Sequence, residues 1–226
     1  MKLLALDTAT EACSVALLDG DAMLVRELPP GRAHAERILP LVQEVLAEAG
    51  TALPDLTAVA FGRGPGAFTG VRLAASVAQG LAFGAGLGVI PVSDLRAVAQ
   101  QALQRHPAAA AVLVCNDARM REVYWACCIR GADGLAKDGR ERVGSPQKVE
   151  LPAQPRPLIG AGLGFSAYPE LAPLTRELAA VELVLPRASE IALLGRCDLA
   201  AGMLLPPEQA VPVYLRDEVA QIPSRS

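Results

Sequence analysis

Two kinds of residue in this chain could carry chemistry: acids that close apolar runs, and glycines grouped ahead of a helix. Asp7 closes "LLALD" (Leu3–Asp7) and Asp117 closes "AAVLVCND" (Ala110–Asp117). A carboxylate at a strand end can hold magnesium or a phosphate-bound water. It can equally cap or start a turn. The stretch "FGRGPGAFTGVR" (Phe61–Arg72) places Gly62, Gly64, Gly66 and Gly70 just before an apolar run. Backbone N–H groups at a helix start, with the helix dipole behind them, can hold an anion, and glycine lets that backbone come close. The Walker pattern nevertheless needs Gly-Lys-Ser/Thr, and here Gly70 is followed by Val71 and Arg72. Gly62, Gly64 and Ala67 fit G-x-G-x-x-A, but after a late strand and with no acid about twenty residues on. Two readings stay open on spacing alone: an anion loop, or a tight strand-to-helix turn capped by Thr69.

Other chemistries find fewer residues. His34 and His106 are the only histidines, and they lie far apart in sequence. The cysteines, Cys13, Cys115, Cys127, Cys128 and Cys197, form no C-x-x-C pair, so a zinc site is not expected. "GFSAY" departs from the serine-hydrolase elbow at its last position. Asp117 is followed by Ala118-Arg119-Met120-Arg121, whose bulk makes a poor phosphate clamp, although arginine attracts anions.

The elements that must position these residues follow from periodicity and turn signals. Asp19-Gly20 between "CSVALL" (Cys13–Leu18) and "AMLVREL" (Ala22–Leu28) predicts a hairpin. "AERILPLVQEVLAEAG" keeps helical spacing, with a start or a kink expected at Pro40. Strands are expected at Leu56–Gly62 and Gly88–Ser93, and helices at Thr69–Gly84 and Asp94–His106. A second series repeats the spacing: Ala110–Asp117, Arg121–Ile129, then a turn at Asp133-Gly134. A polar connector (Lys137–Pro157), a strand running into another glycine-rich turn (Leu158–Ser166), a helix (Ala188–Met203) and a tail, "PVYLRDEVA" (Pro212–Ala220), complete the chain. This pattern predicts an α/β protein of two domains, 1–106 and 107–226, each a mixed sheet with packed helices. A cleft is expected between them, and the tail is expected to pack back on the first.

Bulk properties narrow the partners. The 226 residues are 52% hydrophobic and 4% aromatic, with a net charge of −3. Without a basic excess, the chain as a whole offers nucleic acid no electrostatic foothold. The cysteine usage reads as cytoplasmic, and no run is long enough to span a membrane. On Thr69–Gly84 the polar residues Arg72, Ser76 and Gln79 form one narrow stripe; the remainder is apolar or small. Such a helix must be covered on most sides, by the sheet and then by a neighbouring helix or another protein.

Together "LLALDTATEACSVAL", "GRAHAERILPLVQEVL", "GRGPGAFTGVRLAASVAQGLA", "PVSDLRAVAQ", "DARMREVYWA" and "PVYLRD" resemble the TsaB family, also called YeaZ. The resemblance runs in order along most of the chain. It implies the actin-like, sugar-kinase-like ATPase (ASKHA) fold. It also implies a non-catalytic subunit for synthesis of N6-threonylcarbamoyladenosine at position 37 of tRNA. The implied partners are a TsaD-like paralogue, which does the transfer, and a TsaE-like ATPase, with a homodimer when the chain is alone. tRNA would be reached only through the complex. TsaD carries two metal-binding histidines after the strand matching "GVIPV"; Ser93-Asp94-Leu95-Arg96-Ala97-Val98 has none. By the same resemblance Asp7, Thr8, Gly64 and Gly66 are vestigial phosphate-type positions. No cofactor is expected, although a weak or interfacial adenine nucleotide is compatible with them. The helices led by His34 and Thr69 would form the partner surface through His34, Ile38, Leu41, Val42, Val45, Leu73, Ala74, Val77, Ala78 and Leu81. The alternative is an ATP-dependent phosphotransferase or ATPase of the same fold.

Overall fold

The computed structural model describes residues 1–29, 31, 33–153 and 155–216. Its first sheet contains β1 (Lys2–Asp7), β2 (Cys13–Asp19), β3 (Ala22–Leu28), β4 (Ala58–Gly62) and β5 (Gly88–Val92), in the order β3-β2-β1-β4-β5. β1, β2 and β3 run antiparallel; β4 and β5 join β1 in parallel. The second sheet contains β6 (Ala111–Asp117), β7 (Val123–Arg130), β8 (Ala136–Lys137), β9 (Arg142–Gly144), β10 (Leu158–Ala161) and β11 (Val181–Glu182). Its order is β11-β10-β6-β7-β8, with β9 also on β7. Taken from the other edge, that order repeats the first sheet, with the same antiparallel and parallel pairs. The repeated spacing in the sequence is therefore one topology used twice. Both expected hairpins form: Gly20 and Gly134 take φ of 60° and 78°, the left-handed region their turns require.

Helices cover both faces of each sheet, because both faces of these strands are apolar. α1 (His34–Glu48) and α2 (Phe68–Ala85) lie on the outer face of the first sheet, burying Leu4, Leu6, Val15, Val59 and Phe61. α3 (Asp94–Arg105) follows β5 in the chain but packs on the second sheet, with Leu95, Val98 and Leu103 against Val112, Val114 and Ile159. α4 (Gly164–Ala167) and α5 (Ala172–Thr175) are single turns beyond β10. α6 (Ala188–Ala200) returns to the inner face of the first sheet, with Ile191 and Leu194 among Leu3, Ala5 and Ile90. Among the described residues, no helix is long and apolar enough to cross a membrane.

Several boundaries differ from expectation for identifiable reasons. α1 starts at His34 and continues through Pro40. The lost backbone donor is outweighed by Ile38, Leu41, Val42 and Val45, all buried on the sheet. α2 starts at Phe68, not behind a Thr69 cap: Ala67 holds the cap position with no side-chain bond. Its N–H instead donates to the Ala9 carbonyl at 2.7 Å, so main-chain packing on the β1–β2 loop fixes that end. β4 begins at Ala58 because a 3-10 turn, Leu53–Asp55, precedes it. The polar connector contains β9, which lacks apolar alternation and forms as an edge strand on β7. The strand from Leu158 does run into a glycine-rich turn as expected: β10 stops at Ala161, and Gly162 turns the chain with φ of 104°.

The last described residues bridge both sheets' loops. Val213 N–H donates to the Arg63 carbonyl at 2.8 Å, while the Arg216 guanidinium donates to the Ala118 carbonyl and pairs with Glu122. Residues 217–220 of the expected tail lie outside the described residues.

Candidate functional site

At the end of β1 the structure brings together Asp7, Thr8, the glycine loop and the start of α3. Ala9 N–H donates to Asp7 Oδ1 at 2.9 Å, and Thr8 Oγ1 donates to the Gly70 carbonyl at 2.7 Å. Asp94 reaches into the glycine loop: the Gly64 N–H donates to Asp94 Oδ2, and Asp94 N–H donates back to the Gly64 carbonyl at 3.1 Å. A carboxyl group does sit against this loop, and it is the chain's own. Gly66 is half-buried beside this corner and lines the cavity described below. The glycines serve protein contacts. A β-carbon at Gly62 would lie 2.5 Å from Asp94 Oδ1 and 2.6 Å from Asp7 Oδ1; at Gly70 it would lie 2.0 Å from the Thr8 carbonyl oxygen.

The electrostatics match that enclosure. Burial pushes the Asp7 carboxyl up to about 6. Burial, then the neighbouring Asp7 charge, holds Asp94 well above the usual carboxylate range. Ser93 caps α3 by accepting the Arg96 N–H at 3.1 Å and donates from its hydroxyl to Glu141. Arg63 grips that glutamate with two bonds of 3.1 Å each. Glu141 thus ties the loop after β4 to the far side of the molecule. Sequence reasoning missed it, because a lone acid in a polar connector carries no local signal.

A cavity of about 420 Å³ opens between the turns of the two sheets, lined among others by Thr10, His34, Phe68, Asn116, Arg119 and Tyr214. Asp117 stands at its edge, taking the Tyr168 hydroxyl at 2.6 Å and the Arg119 N–H at 2.7 Å. Arg119, Met120 and Arg121 all hold φ near 60° (59°, 53° and 61°), a strained turn for side-chain-bearing residues. His34 Nε2 lies 3.1 Å from the Glu11 carbonyl, and His106 Nε2 2.7 Å from Glu182 Oε1. Neither ring contacts a hydroxyl or thiol in these bonds. The cysteines are free, and burial pushes the thiols of Cys13 and Cys128 up to about 11 and about 12, away from nucleophilic thiolate. Among the described residues, no group of three His, Cys, Asp or Glu side chains is placed to hold a metal ion.

The outer face of α1 and α2 is the third feature. Six of the ten partner-surface positions, Ile38, Leu41, Val42, Val45, Ala74 and Ala78, lie within the chain's own core and cannot meet a partner directly. The periodicity that makes them helical is the periodicity that turns them toward the sheet. His34, Leu73, Val77 and Leu81 are half-buried. Part of the apolar excess on α2 is covered by the chain itself: Leu205 and Ala210 join its core, and Gln79 donates to the Pro207 carbonyl at 3.2 Å. What α2 leaves open is a stripe at helical spacing: Thr69, Arg72, Ser76, Gly80 and Phe83. Phe83 is 78% exposed, and Leu39 on α1 is 48% exposed. At the N-terminal end, Arg72 stacks 3.6 Å from the Phe68 ring centroid and donates to the Tyr214 hydroxyl at 2.7 Å.

A β-carbon at Gly80 would meet nothing within 4 Å, so the fold of this chain does not require glycine there. Gly80→Ala is therefore expected to stabilise the isolated chain by roughly 0.5–1 kcal/mol through helix propensity. Thermal unfolding measures it, and an unchanged or lowered midpoint contradicts it.

The duplicated β3-β2-β1-β4-β5 sheet, with its helices on both faces and a cleft between the halves, defines a protein of the actin-like, sugar-kinase-like ATPase fold. Comparison with known proteins narrows the class. The family model for TsaD, tRNA N6-adenosine threonylcarbamoyltransferase, matches residues 30–224. TsaB, a tRNA threonylcarbamoyladenosine biosynthesis protein of Escherichia coli K12, is 44% identical across 97% of this chain and 96% of its own. TsaB of Haemophilus influenzae is 40% identical across 100% and 98%. The solved structure of YeaZ from Pseudomonas aeruginosa superimposes with a TM-score of 0.85 at 42% identity, covering 95% of this chain and 99% of that one. A second Pseudomonas aeruginosa structure, described as similar to a peptidase YeaZ, gives a TM-score of 0.87 at 43% identity. This chain belongs to the TsaB (YeaZ) family.

Proposed function

We propose that this chain acts in synthesis of tRNA N6-threonylcarbamoyladenosine as a non-catalytic subunit that binds and supports a TsaD-like paralogue. The observation that carries this reading is the open stripe of α2, where an exposed Phe83 stands one turn from a glycine the fold does not need. Small residues let another helix approach closely, and an exposed aromatic supplies an anchor for it. The names of the relatives supply the pathway. In the same reading the chain pairs with itself when alone, a TsaE-like ATPase joins the complex, and tRNA is held by partners rather than by this acidic chain. Five free cysteines suit a cytoplasmic setting.

Reconstitution tests it. Supplied with tRNA, ATP and a threonylcarbamoyl-adenylate donor, purified TsaD-like and TsaE-like partners should form modified tRNA, with release of AMP, at a useful rate only when this chain is added. Equal product without it overturns the reading. Gly80→Ala should weaken the pairing with the TsaD-like partner even as it stabilises the chain alone.

The cavity between the halves favours a second reading, an ATP-dependent phosphotransferase or ATPase. Against it stands the Gly64 N–H, already taken by Asp94. Calorimetry of the isolated chain with Mg-ATP separates the two. Tight binding, with turnover lost in Asp7→Ala, would favour the enzyme.

A further inference from the structure

Asp7 and Asp94 are both wholly buried. Their carboxylates converge beside Gly62, close enough that one added β-carbon would collide with both. The protein gives each a backbone donor: the Ala9 N–H for Asp7 Oδ1, and the Gly64 N–H for Asp94 Oδ2. The remaining oxygens, Asp7 Oδ2 and Asp94 Oδ1, have no hydrogen-bond partner among the described residues. Two acceptor-only groups facing each other away from bulk solvent carry both a repulsion and two unmet bonds. A single proton resolves both, since one carboxyl then donates to the other. A cation in its place would need further ligands, and no third His, Cys, Asp or Glu joins the pair among the described residues.

We propose that Asp7 and Asp94 hold one shared proton in the folded chain, as a latch that fastens the glycine loop and the start of α3 to the end of β1. Loss of the proton leaves two like charges in one dry corner and loosens the seat of α2, which rests on Thr8 through Gly70. This goes beyond the pairing role and does not depend on it.

Among the described residues, the other charged and titratable groups around the pair do not supply a counter-charge at contact. From the loop after β4, Arg63 acts at longer range, its guanidinium committed to Glu141. From α1, His34 acts on Asp7 more weakly than the backbone N–H groups of Ala9 and Thr8. From β2, the Cys13 thiol is neutral, pushed up to about 11 by burial and then by the Asp7 charge; Arg37 of α1 opposes that shift. On α3 itself, Arg96 is paired with Asp198 at 2.7 Å. The folded carboxyls therefore lie above their ordinary value of 3.8: Asp7 is pushed up to about 6, and Asp94 is held well above 3.8. The sign follows: the stabilisation is complete below the ordinary value and is lost as pH rises through about 6 and beyond.

Unfolding of the full chain, followed between about pH 5 and about pH 8, reads this directly. One proton taken up on folding lowers the folding constant by up to about ten-fold per pH unit. Asp94→Asn keeps a donor to Asp7 without a titratable group. Its slope should flatten, and it should be the more stable form at the alkaline end. An equal slope in both proteins overturns the proposal. The wild-type chain supplies a measurement independent of any variant. Infrared spectra of the folded protein near neutral pH should contain the carbonyl stretch of a buried carboxylic acid, shifted by deuterium exchange and missing after unfolding. Absence of that band in the folded chain also overturns it.

Discussion

Phe83→Glu is expected to abolish most of the pairing with a TsaD-like partner while leaving this chain intact. Phe83 is 78% exposed, so its replacement removes almost no contact within the chain. Surface changes of that kind usually stay within about 0.5 kcal/mol, which for a protein of this size moves the melting midpoint by roughly 2 °C at most. At an interface the same change removes an aromatic anchor and desolvates a charge. Losses of about 2–4 kcal/mol are typical of such positions, a weakening of roughly 30- to 1,000-fold. Titration of the partner against wild type and variant, with melting curves of each alone, separates the two effects. A variant that pairs as tightly as wild type removes α2 from the interface. Leu73→Glu and Val77→Glu are less decisive, because both side chains are half-buried against the core and a carboxylate there also burdens the fold.

Gly70→Ala should act in the opposite sense: large loss of stability in the chain alone, with no ligand present. The added carbon would sit 2.0 Å from the Thr8 carbonyl oxygen and 3.3 Å from Ala9 Cα. Both are main-chain atoms held in β1 and its turn, and the Thr8 hydroxyl bonds the Gly70 carbonyl at 2.7 Å. Relief requires α2 to part from the sheet. The cost is about 3 kcal/mol or more, a fall of roughly 6–12 °C in the midpoint. The experiment bears on what the glycine loop is for. In a phosphate loop the glycines make room for a ligand, and substitution is felt mainly in binding. Here the space beside Gly70 is already filled by the protein. A variant that melts like wild type would show that the corner is looser than this packing allows. Together with Gly80→Ala, this sets one substitution at two positions of one helix, with opposite expected signs.

Most of the fold was legible in the sequence because it is written in local terms. The Asp19-Gly20 and Asp133-Gly134 turns, the apolar runs closing at Asp7 and Asp117, and the helical spacing of α1 and α3 each depend on neighbours in the chain. The repeated spacing even anticipated the second sheet. The site was much less legible. Asp94 and Asp7 are distant in sequence, and nothing near either one says that they meet. Glu141 is silent for the same reason. Six of the ten expected partner-surface positions are core residues, because apolar periodicity identifies the side that faces the sheet, so Ile38, Val42 and Ala74 point inward. The open stripe had to be found by elimination, and Phe83 stood within an apolar run that gave no sign of which way it faced.

The exchange of helices between the halves has a consequence for how this polypeptide is made. The inner face of the first sheet, formed by Leu3, Ala5, Ala60 and Ile90, is closed by α6, which follows every strand of both sheets in the chain. α3, which precedes every strand of the second sheet, buries Leu95, Val98 and Leu103 on strands translated after it. The first sheet therefore cannot acquire its inner layer until the strands of the second have been made.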